Sequence, residues 1–169
     1  KQFNFNSAPA IMGVVNLSAD SWYRESVCLT ADSAIQRARV LHDQGAEIID
    51  LGAESTLAQA ARADDAAQNS RLLPVIENLR AADILVSVET YQPAVTRACF
   101  NAGANVLNLT GAEQTEELFR MVAAHDAAVI ICYVQGKNVR EVGDFDFTAD
   151  PVSLMQAMRR AIEEPGLWE

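Results

Sequence analysis

Carboxylates, carboxamides and hydroxyls gather just after short apolar runs along this chain. Asn16, Asp20 and Ser21 follow the first run, and Asp50, Glu54, Ser55 and Thr56 the second. Ser87, Glu89 and Thr90 close the third, Asn108 and Thr110 the fourth, Tyr133 and Gln135 the fifth, with Arg24 the main base nearby. Such a set suits a flat heterocycle with N–H donors. A carboxylate accepts two parallel hydrogen bonds from an amidine-like edge, and Asn or Gln meets a mixed donor–acceptor edge. Plainer roles compete: Asn16 as a turn cap, Asp50 and Glu54 as helix caps or ion-pair partners, Thr90 and Thr110 as backbone caps. Trp22 and Tyr23 could stack on a flat ring or pack in the core. His42 and His125 lack metal-ligand spacing, and Cys28, Cys99 and Cys132 form no C-x-x-C pair.

The runs that must position these groups cover 10–17, 47–51, 84–88, 105–109 and 128–134, rich in Val, Ile and Leu. Continuous apolar strands, rather than alternating ones, predict a parallel sheet covered on both faces. Helical patterns lie between them. Thr30 and Asp32 offer a start and Gly45 a stop for the first. Residues 65–80 continue the series, with Pro74 as a kink or fresh start, then 93–102, 113–125 and 150–163. The junction Gly45-Ala46-Glu47-Ile48-Ile49-Asp50-Leu51 recurs as Gly103-Ala104-Asn105-Val106-Leu107-Asn108-Leu109. One β/α unit is therefore used repeatedly, with right-handed crossovers. The loops 18–27 and 57–69, which leave strand ends, are expected to be mobile substrate lids.

Composition bounds the rest. The chain has 169 residues, half of them apolar, and 23 acidic against 13 basic residues, a formal charge of -10. No Lys/Arg excess is present to neutralise phosphates, so neither nucleic acid nor an anionic membrane is an expected partner. An odd number of scattered cysteines and no long apolar run predict a cytoplasmic protein. No linker or low-complexity tract divides it, so 1–169 is expected to be a single domain.

The segment Ile11-Met12-Gly13-Val14-Val15-Asn16-Leu17-Ser18-Ala19-Asp20-Ser21-Trp22 resembles the first signature of dihydropteroate synthases. Gly45 to Thr56, ending Ile-Ile-Asp-Leu-Gly-Ala-Glu-Ser-Thr, resembles the second. Ser87-Val88-Glu89-Thr90-Tyr91 with Pro93 resembles the third, and Gly103 through Gly111 the fourth. The resemblance implies a pterin-binding (β/α) TIM-type barrel of which about five β/α units are present, incomplete at the C-terminus. A five-stranded doubly wound parallel sheet is the alternative fold. It further implies that a dihydropterin pyrophosphate is condensed with para-aminobenzoate in folate biosynthesis, with Mg²⁺ as cofactor and both substrates as small-molecule partners. Asn16 then matches the metal- and pyrophosphate-side asparagine, Ser55 and Thr56 the loop that receives aminobenzoate, and Asn108 the pterin-binding asparagine. Asp50 completes the candidate catalytic set of Asn16, Asp50, Ser55 and Thr56. Glu89, Asn108, Gln135 and Arg24 are the candidate substrate-binding set.

The chain departs from the family pattern at several points. Trp22-Tyr23-Arg24-Glu25-Ser26 stands where the family runs aromatic-Ser-Asp-Gly-Gly, and Leu57-Ala58-Gln59 where it has Arg-Pro-Gly. Leu109 and Tyr133 replace an acidic residue and a His. Glu89 is one methylene longer than the family's Asp, which moves its carboxylate about 1.5 Å by ordinary C–C geometry. A pterin- or folate-dependent methyltransferase, a non-catalytic partner protein and a half-barrel that pairs as a homodimer are therefore open alternatives.

Overall fold

The computed structural model describes residues 8–143 except 22, 133 and 135, together with Val152 and Gln156. Five strands alternate with four helices: β1 (Met12–Asn16), α1 (Ala31–Asp43), β2 (Ile48–Gly52), α2 (Asp65–Ala81), β3 (Leu85–Thr90), α3 (Pro93–Asn101), β4 (Val106–Leu109), α4 (Thr115–Ala124) and β5 (Ala128–Ile131). A 3-10 turn, Arg24–Ser26, interrupts the loop after β1. β1, β4 and β5 are shorter than the apolar runs that mark them, and the expected helix over 150–163 lies outside the described residues except at Val152 and Gln156, as do Tyr133 and Gln135. Pro74 lies inside α2, which runs through it as one helix.

Strand order decides between the two candidate folds. The sheet reads β1-β2-β3-β4-β5, every neighbouring pair parallel. A doubly wound sheet reverses its strand order at a switch point and places helices on both faces. Here each helix packs on the next, α1 on α2, α2 on α3 and α3 on α4, so all four line one face. That is five units of a (β/α) barrel wall, with helices outside and the other face turned to the barrel interior. The doubly wound alternative is set aside accordingly. On the interior face, Met12 is 36% and Ile130 39% exposed. The apolar residues on this face, such as Met12, Val14 and Ile130, meet a barrel interior rather than a second helical layer.

The core lies between strands and helices. Val15, Ile49, Leu51, Val86, Val88, Leu107 and Leu109 point outward from the sheet and are completely buried with Leu72, Ile76, Leu79 and Leu118. Burying each such side chain stabilises the fold by about 1.5–3 kcal/mol. α1 approaches closely because Gly13 carries no side chain; a Cβ there would lie 3.1 Å from Leu41 Cβ. Local signals agree with the tertiary ones. Thr30 and Ser33 form a reciprocal capping box at α1, and Asp64 Oδ1 accepts from Ala67 N at 2.7 Å to cap α2.

The repeated unit extends further than its two glycines reveal. At all four helix-to-strand junctions one residue takes a left-handed conformation: Gly45 (φ 107°), Asp83 (φ 58°), Gly103 (φ 101°) and Asp126 (φ 50°). The next residue's N–H then reaches back to close the helix: Ala46 to Leu41 O, Ile84 to Leu79 O, Ala104 to Cys99 O and Ala127 to Val122 O, each at 3.0 Å. These are Schellman closures, and they satisfy carbonyls the helix end would leave orphaned. Asp tolerates this conformation less well than Gly. Asp83→Gly and Asp126→Gly should therefore each raise stability by about 0.5–1 kcal/mol in urea unfolding. Gly45→Ala, whose Cβ would meet nothing within 4 Å, should lower it by about 1–2 kcal/mol through backbone strain alone.

Candidate active site

In a strand, alternate residues share a face, so register places every interior side chain. Asn16 pairs with Gly52, Gly52 with Glu89, Glu89 with Asn108 and Asn108 with Ile130. One layer deeper run Val14, Asp50, Ser87, Val106 and Ala128. Asn16, Asp50, Glu89 and Asn108 thus share the interior face at the carboxyl ends of four adjacent strands, where barrel enzymes place their chemistry. They line a cleft of about 430 Å³ whose floor includes Met12 and Val14 and whose rim includes Tyr23 and Thr56. A volume of that size holds a small heterocycle.

Gly52 makes the upper layer fit. A Cβ there would lie 2.9 Å from Glu89 Oε2 and 3.0 Å from Asn16 Oδ1. The missing side chain lets these two groups lean toward each other across β2. Asn16 Nδ2 donates to Ser26 Oγ at 2.6 Å, and Ser26 Oγ donates to Tyr23 O at 2.6 Å. That tether turns the Asn16 oxygen toward Gly52 and the cleft. Beneath, Asn108 Nδ2 donates to Asp50 Oδ2 at 3.1 Å. Asp50 Oδ1 and Ser87 Oγ face each other at paired positions and are buried with no other hydrogen-bond partner among the described residues. Buried oxygens with no other partner at the base of a cleft are groups that a ligand's donors can satisfy.

Charge follows from this crowding. Burial pushes the Glu89 carboxyl up to about 7, and the neighbouring charges of Asp50 and Glu54 push the same way. Burial also raises Asp50, opposed by the Ser87 hydroxyl and the Asn108 carboxamide. Like charges at close range in a poorly solvated site disfavour joint ionisation. Glu89 thus stands near its midpoint at neutral pH, able to give or accept a proton.

The other expected residues fall differently. Ser55 is buried and lines the cleft, yet its hydroxyl donates to Asp20 O at 2.9 Å and accepts from Leu57 N at 3.2 Å. It joins the loops after β1 and β2. Thr56 lines the cleft and has no such tie. Arg24 does not reach the cleft: it is exposed, and its Nη1 donates to Ala19 O at 3.0 Å. The short 3-10 turn that carries it, held by Cys28 N to Asn16 O at 2.8 Å, points it outward. Gln135 lies outside the described residues. Both loops are tied at points along otherwise exposed stretches, 19–20 and 23–25 in the first and 58–59 and 61–62 in the second. Ser18, Ser21 and Ser26 are buried, Val27 bridges to Asn16, and the second loop is clamped by Arg140 before α2 begins at Asp65.

Arg140 is the residue sequence reasoning missed. It is 8% exposed, lies 3.6 Å from Glu54 Oε1 through Nη1, and donates to Ser55 O at 3.0 Å, to Ala58 O at 3.4 Å and to Ala60 O. Glu54 also accepts from Ala63 N at 3.1 Å and from Tyr91 Oη at 2.7 Å; burial first, and then that hydrogen bond and the Glu54 charge, push the Tyr91 phenol up to about 12. Glu54 lines the cleft and is also an ion-pair hub at its wall, one of its two anticipated roles. Nothing periodic marks Arg140; only its position in the polar segment after the fifth run could have drawn notice.

The sequence matches the model of the pterin binding enzyme family over residues 12–167. The chain belongs to that family. Among pterin binding enzymes, it is 33% identical over 169 residues to a probable bifunctional folylpolyglutamate synthase/dihydropteroate synthase of Haloferax volcanii, covering 98% of this chain and 20% of that one. It is 30% identical over 168 residues to a dihydropteroate synthase of Streptococcus pyogenes, covering 98% of this chain and 62% of that one. The crystal structure of a Clostridium difficile dihydropteroate synthase with pteroic acid superposes with a TM-score of 0.78 at 28% identity, over 96% of this chain and 60% of the other. A Xanthomonas albilineans dihydropteroate synthase with 4-aminobenzoic acid gives 0.75 at 29% identity, over 92% and 56%. The chain thus spans no more than about three fifths of these relatives.

The raised Glu89 carboxyl predicts a pH signature. The folded state holds this proton more tightly than the unfolded chain, whose glutamates titrate near about 4.3. Stability should then fall as pH rises from that value through about 7. Glu89→Gln removes the penalty, so it should melt above the parent at pH 8, with the gap closing toward pH 5. Equal melting temperatures at pH 8 would place the Glu89 carboxylate in a better solvated setting.

Proposed function

We propose that this chain carries the pterin side of a dihydropteroate synthase site. It would bind a dihydropterin pyrophosphate for condensation with para-aminobenzoate in folate biosynthesis. The observation that carries the reading is the layered polar face: Asn16, Glu89 and Asn108 in one register row around the gap at Gly52, over the Asp50–Asn108 hydrogen bond. Asp50 Oδ1 and Ser87 Oγ offer unmet acceptor and hydroxyl capacity to the amino and ring N–H groups of a pterin. Asn108 would complete its mixed edge, and the Met12 and Val14 side chains would lie against the ring.

In the reaction, the bond between the pterin methylene carbon and the pyrophosphate oxygen breaks, and that carbon forms a bond to the aminobenzoate nitrogen, which loses a proton. Positive charge that develops on the methylene is favoured by carboxylates held in a poorly solvated cleft, here Asp50 and Glu89. Glu89, near its midpoint, can also accept a proton or share one with a pterin nitrogen. Thr56, on the loop beside the cleft, would meet aminobenzoate, with Ser55 holding that loop to the one after β1.

Magnesium fits this donor set in a limited way. No group of three or more His, Cys, Asp or Glu side chains suited to a metal is present among the described residues. Mg²⁺ needs few protein ligands, since substrate phosphate oxygens and waters fill most of its shell. The Asn16 oxygen, turned to the cleft, would supply one ligand, and the ion would neutralise the departing pyrophosphate. Residues 57–59, Leu-Ala-Gln, add no positive charge there.

Asn108→Ala tests the reading. Calorimetric titration with 6-hydroxymethylpterin should show binding weakened by about 1–3 kcal/mol, because a pterin donor or acceptor loses its partner. The same change should lower stability by about 1–2 kcal/mol, since Asp50 Oδ2 loses Asn108. A folded Asn108→Ala protein with unaltered pterin affinity would remove the row from the site. Failure of the parent chain to bind pterin, with or without pyrophosphate and Mg²⁺, would overturn the reading itself.

A further inference from the structure

Arg140 is the one buried arginine among the described residues, and it does not touch the large cleft. Burying a guanidinium is unfavourable unless its charge and donors are all met. Here both Nη groups are met by one loop, about 80 residues earlier in sequence. Nη1 donates to Ser55 O at 3.0 Å and stands 3.6 Å from Glu54 Oε1, and Nη2 donates to Ala58 O at 3.4 Å and to Ala60 O.

That loop has few ties of its own. From 53 to 63 it is neither helix nor strand, and within it only Ala60 N to Leu57 O, at 3.1 Å, joins backbone to backbone. Its carbonyls therefore take their partners from outside, since buried backbone groups must be paired. The arginine is itself held firmly. Arg140 N donates to Asn138 Oδ1 at 2.9 Å, Val139 N to Thr110 O at 2.8 Å, and Ala112 N to Lys137 O at 2.8 Å. The segment after β5 is thus fastened to the end of β4 and presents a fixed guanidinium to the loop after β2.

We infer that Arg140 is a positioning residue: its guanidinium sets the course of the 55–60 loop, and so the placement of Ser55 and Thr56 beside the cleft, while its charge is spent on Glu54 rather than on substrate. Only the identity of what this loop receives, aminobenzoate, rests on the proposed function. The fork geometry matters, because a planar guanidinium can bridge several carbonyls and an ammonium cannot. Charge matters separately. Arg140, Tyr91, Thr56 and Glu89 line one small cavity of about 10 Å³, with room for one water. Glu89 is faced by Asp50 from β2, Glu54 from the loop after β2 and Cys132 after β5. Arg140 pairs with Glu54, one of the two charges that push the Glu89 carboxyl up.

The test uses the 169-residue chain with Arg140→Met and Arg140→Lys. Hydrogen–deuterium exchange of amides 55–63 should quicken by about tenfold or more in both variants, while β2 and β3 stay as protected as in the parent; tenfold is the loss of one to two net hydrogen bonds. With 6-hydroxymethylpterin and pyrophosphate present, the aminobenzoate Kd should rise by about tenfold and the pterin Kd by less than about threefold. The pH midpoint of pterin binding should move upward in Arg140→Met alone, because Lys keeps the charge and loses the fork. Loop exchange at the parent rate in Arg140→Lys, or equal weakening of both ligands, would overturn the inference. If Arg140→Met does not fold, Arg140→Lys carries the comparison. If the parent binds neither ligand, the proposed function fails, and loop exchange alone decides the role of Arg140.

Discussion

The in-phase parallel register of β1 through β4 is the constraint on which the site depends. A strand alternates its side chains between two faces, so a slip of one residue in β3 would send Glu89 into the helical layer and Val88 into the cleft. Register is held because the outward positions are the best-packed part of the molecule. Val15, Leu51, Val88 and Leu109 are buried almost completely against the helices. The site residues are thus placed by their apolar neighbours, and the free energy that locks Asn16, Glu89 and Asn108 in one row comes from the opposite face.

That arrangement carries an electrostatic cost of its own. Asp50, Glu54 and Glu89 crowd into a small volume, and the fold relieves the crowding in three ways. Asp50 accepts from Asn108, Glu54 pairs with Arg140 and Tyr91, and Glu89 holds its proton longer than a solvated carboxyl would. A carboxyl near its midpoint at neutral pH can both give and accept a proton. The stress at the site and its chemistry share one origin.

The four helix-to-strand junctions show how far a local rule reaches. Two use Gly at the left-handed position and two use Asp, yet all close with the same backbone hydrogen bond. The geometry belongs to the β/α unit, and the residue only modulates its cost. Repetition of that unit carries the chain around the barrel in strand order, which is why helices pack sequentially on one face.

Much of this was legible in the chain before any coordinates. Apolar runs and helix signals placed all five strands and α1 to α4 to within a few residues, because burial and capping are local demands written at fixed spacing. The strand-end motifs brought out Asn16, Asp50, Glu89 and Asn108, since a polar group closing an apolar run has few other reasons to be there. Strand order was beyond local reading: barrel and doubly wound sheets share the same alternation of elements, and only pairing between distant strands separates them. The role of Ser55 as a tie between loops, the outward turn of Arg24, and above all the grip of Arg140 on a loop some 80 residues away were likewise decided in three dimensions. A buried guanidinium announces itself by its partners, and those partners are backbone carbonyls, which leave no mark on a sequence.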